Sequence, residues 1–243
     1  MWLGAISLFP HLFDYLSTGV TGRAIQQGII SLHTWNPRDF TTDKHHTVDS
    51  KPYGGGVGML MMAAPLCAAI HAAKQAAPAG TKVIYLSPQG QTFSQAAAEN
   101  FASLPGLIFV AGRYEGIDER VLKLIDAEWS IGDYILSGGE AAALVMMDAI
   151  TRCIPGVVGT TASVLEDTHS NGLLKYPQYT RPEDYEGDKV PEILLSGHHQ
   201  AIARWRLKMS LGKTWRQRPD LLAKKSLSPL EIALLDEYIQ ELA

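Results

Sequence analysis

Cysteine is nearly absent from this chain: Cys67 and Cys153 are the only two in 243 residues. They lie far apart, at no disulfide-framework or metal-ligand spacing, and are expected as reduced thiols in a core. The paired histidines His45–His46 and His198–His199 have no cysteine or carboxylate partners at ligand spacing, so no metal is expected. No apolar run reaches membrane-spanning length, which leaves no membrane partner. The apolar start WLGAISLF has no basic residues before it and is followed closely by Pro10, His11 and Asp14. That favours a buried strand over a signal peptide and a cytoplasmic protein over a secreted one. Neither GxxxxGK[ST] nor GxGxxG occurs, which excludes a P-loop triphosphate site and removes the first element a dinucleotide-dependent oxidoreductase would need. Internal repeats are missing, and an excess of positive charge is missing too, since the net charge is −4.

What is present is an ordinary globular composition, 46% hydrophobic and 19% charged, which excludes a mostly disordered chain. The negative net charge hides an asymmetry. From His198 to Lys225 the chain carries Arg204, Arg206, Lys208, Lys213, Arg216, Arg218, Lys224 and Lys225 against one acid, Asp220. Local clusters, not totals, create a binding field for nucleic acid. Strand patterns at Trp2–Phe9, Lys82–Leu86, Leu107–Ala111 and Trp129–Leu136 alternate with helix patterns at Met61–Ala76, Phe93–Leu104, Ile117–Ile125 and Glu140–Cys153. Thr92 and Gln95 have the spacing of a capping box for the second of these helices. This alternation predicts an α/β domain with a largely parallel sheet. From Gly156 to about Gly187 the chain turns rich in Gly, Thr, Ser, Pro and Tyr and reads as a linker or mobile loop. Beyond it, Ile202, Trp205 and Met209 share one helical face, with Gly212 placed to end that helix. Ser228, Pro229 and Glu231 mark the start of a last helix, with Leu230, Leu234 and Tyr238 along one side. The predicted organisation is a catalytic α/β domain over 1–160, a linker over 161–187 and a small helical domain over 188–243.

Three predicted strands end in unusual turns: YLSPQGQ (Tyr85–Gln91), VAGRYEG (Val110–Gly116) and SIGDYILSGG, closing at Gly139. In open parallel sheets the loops at the carboxyl ends of strands form the binding crevice. Their content is glycine, backbone amide, hydroxyl, tyrosine, one glutamate and one arginine. That lining suits a ligand with a base, a ribose and an amino-acid tail, and S-adenosylmethionine fits it better than a nucleoside triphosphate.

These residues also carry a resemblance. YLSPQGQ, GRYEGIDER, EWSIGDYILSGGE, RCIPGVVG, NGLLKYPQYTRP, PYGGGVGMLM and LSGHHQAIARWRLKMSLGKTWRQRPDLL resemble the bacterial tRNA (guanine-N1)-methyltransferases of the SPOUT class, the TrmD family. The match runs in one order along nearly the whole chain. It implies a trefoil-knotted α/β domain, followed by a helical C-terminal domain, that binds S-adenosylmethionine in a bent shape. It also implies a homodimer with sites at the subunit interface, and methylation of N1 of guanine 37 in tRNA. By motif, the cofactor residues would be Tyr85, Leu86, Ser87, Pro88 and Gln89; Gly112, Arg113, Tyr114 and Glu115; and Ile131, Gly132, Asp133, Tyr134, Ile135, Leu136, Ser137, Gly138 and Gly139. Glu115 would pair with positive charge on the cofactor.

Guanine N1 carries a proton, so methyl transfer there needs a base, and a cation to steady charge developing at O6. The resemblance assigns these roles to Asp167 in VLEDTHSNG and Arg152 in ITRCIPG, with Glu166 the rival base. Arg204, Arg206, Lys208, Lys213, Arg216 and Arg218 are the candidate tRNA contacts, interleaved with Trp205 and Trp215. Gly54, Gly55, Gly56 and Gly58 would let the chain approach RNA or a partner subunit. Two departures stand out: Ala142 and Val57 occupy positions where the family usually has proline, and both changes remove local rigidity. A non-catalytic RNA-binding protein and a SPOUT enzyme acting on another base or a ribose remain the competing readings.

Overall fold

Apolar, β-branched segments buried on both faces form parallel sheets, and the strands of this chain follow that rule. In the computed structural model, which describes residues 1–158, 168–169 and 171–242, the chain divides into two units, Met1–Thr161 and Ala162–Ala243. The first unit holds β1 (Trp2–Ile6), α1 (Gly19–Gln26), β2 (Ser31–Trp35) and a two-residue antiparallel pair, β3 (Asp49–Ser50) with β4 (Leu60–Met61). It continues with α2 (Ala63–Ala76), β5 (Lys82–Thr92), α3 (Gln95–Ala102), β6 (Gly106–Ala111), β7 (Ala127–Ser130) and α4 (Glu140–Cys153). The main sheet has the order β2-β1-β6-β5-β7, and every pairing in it is parallel.

Alternate residues of each strand enter opposite cores. Leu3, Ala5, Ile84, Leu86, Leu107 and Phe109 pack with Ala24 of α1, Ala98 of α3 and Met146, Met147 and Ile150 of α4. On the other face Ile6, Val83, Tyr85, Ile108 and Val110 pack with Leu66, Ile70 and Ala73 of α2. Each fully buried large side chain of this kind contributes about 1.5–3 kcal/mol. The sheet is therefore a stiff platform whose strand ends can hold loops in place.

The second unit contains a short antiparallel pair, β8 (Asp184–Tyr185) with β9 (Asp188–Lys189), and the helices α5 (Glu192–Leu195), α6 (His199–Gln217), α7 (Pro219–Ala223) and α8 (Pro229–Gln240). Its core is Leu173, Leu211 and Leu234. The Leu174 amide donates to the buried Thr214 hydroxyl at 2.9 Å. Residues 173 and 174, inside the expected linker, thus belong to a packed core. Ser228 and Glu231 form the expected capping box of α8. Leu234 and Tyr238 are buried, while Leu230 stays exposed.

Several elements differ from the sequence expectation, each for a physical reason. Helix α6 runs straight through Gly212. A Cβ there would run into the Tyr238 ring, so this glycine lets α8 approach closely and does not terminate a helix. YLSPQGQ is no turn: β5 continues to Thr92 through a bulge, its pairing with β7 breaking off after Leu86 and resuming at Gln91. Strand β7 stops at Ser130, so residues 131–139 are loop. Ser94, and not Thr92, caps α3, by accepting a hydrogen bond from the Ala97 amide. The segment expected as a helix at Ile117–Ile125 is a 3-10 turn over Glu119–Leu124, capped by Asp118. Strand β2 had no clear alternation, because SLHTW sits at the sheet edge and is only half-buried.

Candidate functional site

Three neighbouring parallel strands, β6, β5 and β7, end on the same edge of the sheet. The bulge of β5, the segment after β6 and the loop after β7 enclose a pocket of about 630 Å³ there. That volume lies within the usual range for small-molecule sites, roughly 300–1,000 Å³. All the residues expected around a cofactor line it except Asp133, which is exposed, and Ser137. Sequence reasoning did not assign Leu60, Ile117, Glu128 or Trp129 to it, though they line it too, and Ala142, singled out as a departure from the family pattern, lines it as well. Glu128 and Trp129 stood only as the start of the EWSIGDYILSGGE motif, and Leu60 lies far off in sequence.

Glycine shapes this pocket by omission. Gly139 is the N-cap of α4 and its amide donates to the Gly112 carbonyl at 2.8 Å. A Cβ on Gly139 would stand 2.9 Å from the Ala111 Cα and 3.0 Å from the Gly112 nitrogen. A Cβ on Gly112 would stand 2.9 Å from the Tyr85 ring. Gly132 has φ 146° and Gly116 φ 132°, a region side chains avoid. Tyr114 adopts φ 61°, an unusual strain for a tyrosine and a recurring mark of functional loops. Burial, then the Glu128 carboxylate, push the Tyr85 phenol up. Gly58 clears space for the Glu115 side chain, whose backbone amide donates to the Met59 carbonyl at 3.0 Å. That gives one of the four expected glycines a definite use.

Arg113 is held from several sides. Its Nε donates to the Glu140 Oε2 at 2.9 Å, its Nη1 donates to the Ser137 carbonyl at 3.2 Å, and its guanidinium lies 4.5 Å from the centre of the Phe9 ring. Glu140 is only 2% exposed and accepts a second hydrogen bond from the Ser7 hydroxyl at 2.7 Å.

Of the proposed chemical pair, only Arg152 lies among the described residues. Arg152 lies in the last turn of α4, ten residues beyond Ala142, the residue of that helix that lines the pocket. At 1.5 Å per residue that is about 15 Å along the helix axis, beyond the reach of one arginine side chain. Asp167, with its rival Glu166, lies outside the described residues.

The second unit carries the basic candidates on α6 and just after it. Arg204 pairs with Glu237 at 2.5 Å, and Arg218 pairs with Asp220 at 2.7 Å. Lys208, only 10% exposed, is gripped by Glu237 at 2.9 Å and Glu241 at 2.7 Å, so its charge is committed inside the unit. Arg206 lies over the Tyr176 ring at 4.9 Å, and Arg216 is exposed beside the half-exposed Trp215. Lys213 is partly buried. A second cavity of about 900 Å³ opens here between Tyr176, Tyr179, Arg181, Leu194, Ile202 and Arg206. The histidine pairs have local uses: the His198 ring nitrogen accepts the Ala201 amide as the cap of α6, and the His46 carbonyl accepts from Arg38. Among the described residues no three His, Cys, Asp or Glu side chains group as a metal site.

The model of a protein family described as tRNA (Guanine-1)-methyltransferase TrmD matches residues 1–224. The chain is 57% identical over 243 residues to a tRNA (guanine-N(1)-)-methyltransferase of Aeromonas hydrophila, covering 99% of this chain and 98% of that one. It is 55% identical over 243 residues to the protein of that name in Vibrio vulnificus, again with 99% and 98% coverage. It is 56% identical over 251 residues to that of Chromohalobacter salexigens, covering 100% of this chain and 94% of the relative.

Proposed function

The chain belongs to the tRNA (guanine-1)-methyltransferase family, and from that premise we propose that it moves a methyl group from S-adenosylmethionine to N1 of guanine 37 in tRNA. Methylation of guanine N1 in tRNA is the activity that its relatives are named for. The observation that carries the finer reading is the glycine-shaped pocket at three adjacent strand ends, where added Cβ atoms would collide with backbone or with Tyr85. Such a cradle fits a nucleoside held by main-chain amides and aromatic rings.

When bound, S-adenosylmethionine supplies an electrophilic methyl group on a cationic sulfur. The residues of this chain do the rest. The Ser87–Gln89 bulge and the loop ending at Gly139 would hold the ligand from two sides of the pocket. Glu115 would supply a carboxylate to its positive charge. Asp167 accepts the guanine N1 proton, and Arg152 steadies the negative charge that then develops on O6. Positioned proton transfer is worth roughly 10²–10⁴-fold, and alignment of N1 with the methyl group contributes further. Arginine suits its role because it stays protonated and offers several fixed donors.

The separation of Arg152 from the pocket supports a homodimer in which one protomer provides the pocket and the other provides the arginine. Arg206, Lys213 and Arg216, with Arg204 and Arg218 at their exposed edges, contact the tRNA backbone. The knotted threading of the α/β unit rests on the sequence resemblance. No helix among the described residues is long and apolar enough to cross a membrane, and a cytoplasmic site of action follows from the tRNA substrate.

The deciding experiment incubates the protein with S-adenosylmethionine and an unmodified tRNA transcript, then digests the RNA and identifies nucleosides by mass spectrometry. The expected product is 1-methylguanosine, lost when guanine 37 is replaced. Methylation that persists after that replacement would refute the assignment of position.

A further inference from the structure

A carboxylate that is 2% exposed must be compensated by its neighbours or give up its charge. Glu140 has two such neighbours, from remote parts of the chain. Ser7 reaches it from the end of β1 at 2.7 Å, and Arg113 from the end of β6 at 2.9 Å. Glu140 itself is the first residue of α4, where the helix dipole adds further stabilisation for negative charge. Its position is therefore fixed from three directions.

Arg113 by contrast is a pocket-lining residue with a long flexible stem. Its Nε is bound to Glu140 and its Nη1 to the Ser137 carbonyl. The backbone of Gly138 pairs with that of Arg113 as an isolated antiparallel bridge, and a Cβ on Gly138 would collide with the guanidinium. The loop that walls the pocket thus rests directly on this arginine. If Arg113 moves, Gly138 and Gly139 lose their seat and the guanidinium is free to enter the pocket.

We propose that Glu140 is a positioning residue for the cofactor: it pins and neutralises Arg113, so that the Gly138–Gly139 wall stays in place and no unpaired cation faces the ligand. This rests on the reading of the pocket as the S-adenosylmethionine site. The ligand's sulfonium is itself a cation, so an uncompensated guanidinium in the same pocket would repel it. Glu140 touches neither ligand nor substrate and acts only through Arg113.

The test titrates S-adenosylhomocysteine and S-adenosylmethionine into the full-length protein by calorimetry, with thermal unfolding of each variant in parallel. In Glu140→Gln the amide can still bond both Ser7 and Arg113 while the charge is gone. The expected result is about tenfold weaker binding of S-adenosylmethionine, the scale of one charge-assisted hydrogen bond. The neutral-sulfur S-adenosylhomocysteine should lose less. Because Glu140 works through Arg113, Arg113→Ala combined with Glu140→Gln should bind no more weakly than Arg113→Ala alone. Arg113→Lys keeps the charge but loses the two-pronged grip, and it gives the same readout should Glu140→Gln fail to fold; about tenfold weaker binding is again expected. Wild-type affinity in Glu140→Gln or in Arg113→Lys would overturn the proposal, as would additive losses in the double variant. A fall in melting temperature with unchanged affinity would mark Glu140 as purely structural and overturn it too. If the wild-type protein itself binds neither ligand, the cofactor reading of the pocket fails, and this inference with it.

Discussion

Alanine at position 139 offers a clean test of the pocket's construction, because the backbone there does not require glycine. Gly139 has φ −78° and ψ −8°, ordinary helical values that alanine adopts freely. The objection to a side chain is therefore purely one of contact. The new Cβ would lie 2.9 Å from the Ala111 Cα, 3.0 Å from the Gly112 nitrogen and 3.2 Å from the Leu86 Cβ. Two of these neighbours are backbone atoms, one in the last residue of the buried strand β6 and one in the residue after it, so they cannot swing aside as a flexible side chain would. The start of α4 must instead back away, stretching the bond from the Gly139 amide to the Gly112 carbonyl. Overpacking of this kind costs about 1–3 kcal/mol, and alanine at a helix N-cap adds about half a kcal/mol. At roughly 2–4 °C per kcal/mol for a unit of this size, the melting temperature should fall by several degrees. Any part of the strain that ligand binding must overcome weakens affinity, roughly 5- to 150-fold if all of it is expressed there. Differential scanning calorimetry and S-adenosylhomocysteine titration read the two effects. A variant with wild-type melting and wild-type affinity would refute the close-approach reasoning.

Other outcomes follow from the same geometry. Arg152→Ala should abolish methylation while leaving cofactor binding intact; when co-expressed with a chain whose pocket is blocked, it should recover part of the activity, and absence of any recovery would refute the division of the site between protomers. Arg204, then Lys208, hold the Glu237 carboxyl at about 2, below its ordinary 4.5. A depressed carboxylate stabilises the fold above its unfolded value, and that contribution disappears as pH falls from about 4.5 towards 2; Glu237→Gln should remove this component from an acid-denaturation series, and an unchanged pH profile would count against the network. Replacing Arg206 or Arg216 with alanine should lower the salt-dependence slope of tRNA affinity by about one each without altering cofactor affinity, whereas an unchanged slope would place the RNA elsewhere.

The alternation of apolar strands and helices was readable because each strand is buried on both faces and each helix carries a regular stripe. Leu107–Ala111 and Glu140–Cys153 fell where the pattern put them, to within a residue. What escaped was contact between distant segments. Nothing local in MSLGKTW says that Tyr238 will press on Gly212, so a glycine that permits helix packing looked like a helix end. The bulge in β5 depends on how Trp129 lies against Gly90, a relation between two strands. At the pocket, the glycines were legible as a set, since three strand ends shared one unusual composition. Glu140 was not: an acid at a helix start looks the same whether solvated or buried against Arg113 and Ser7. Lys208 reads as a candidate tRNA contact by its charge, while the partners that claim it, Glu237 and Glu241, lie a whole helix away.

Alanine scanning maps a binding site by subtraction, and at most positions it removes atoms a ligand had touched. At Gly112, Gly138 and Gly139 the same scan adds an atom where neighbouring atoms leave no room for it. The two kinds of loss report different physics: one measures a missing contact, the other an intruding one. A mutational map of this protein that does not separate them would credit its glycines with interactions made by neighbouring main chain. Here the shape of the pocket is drawn largely by the side chains that are not there.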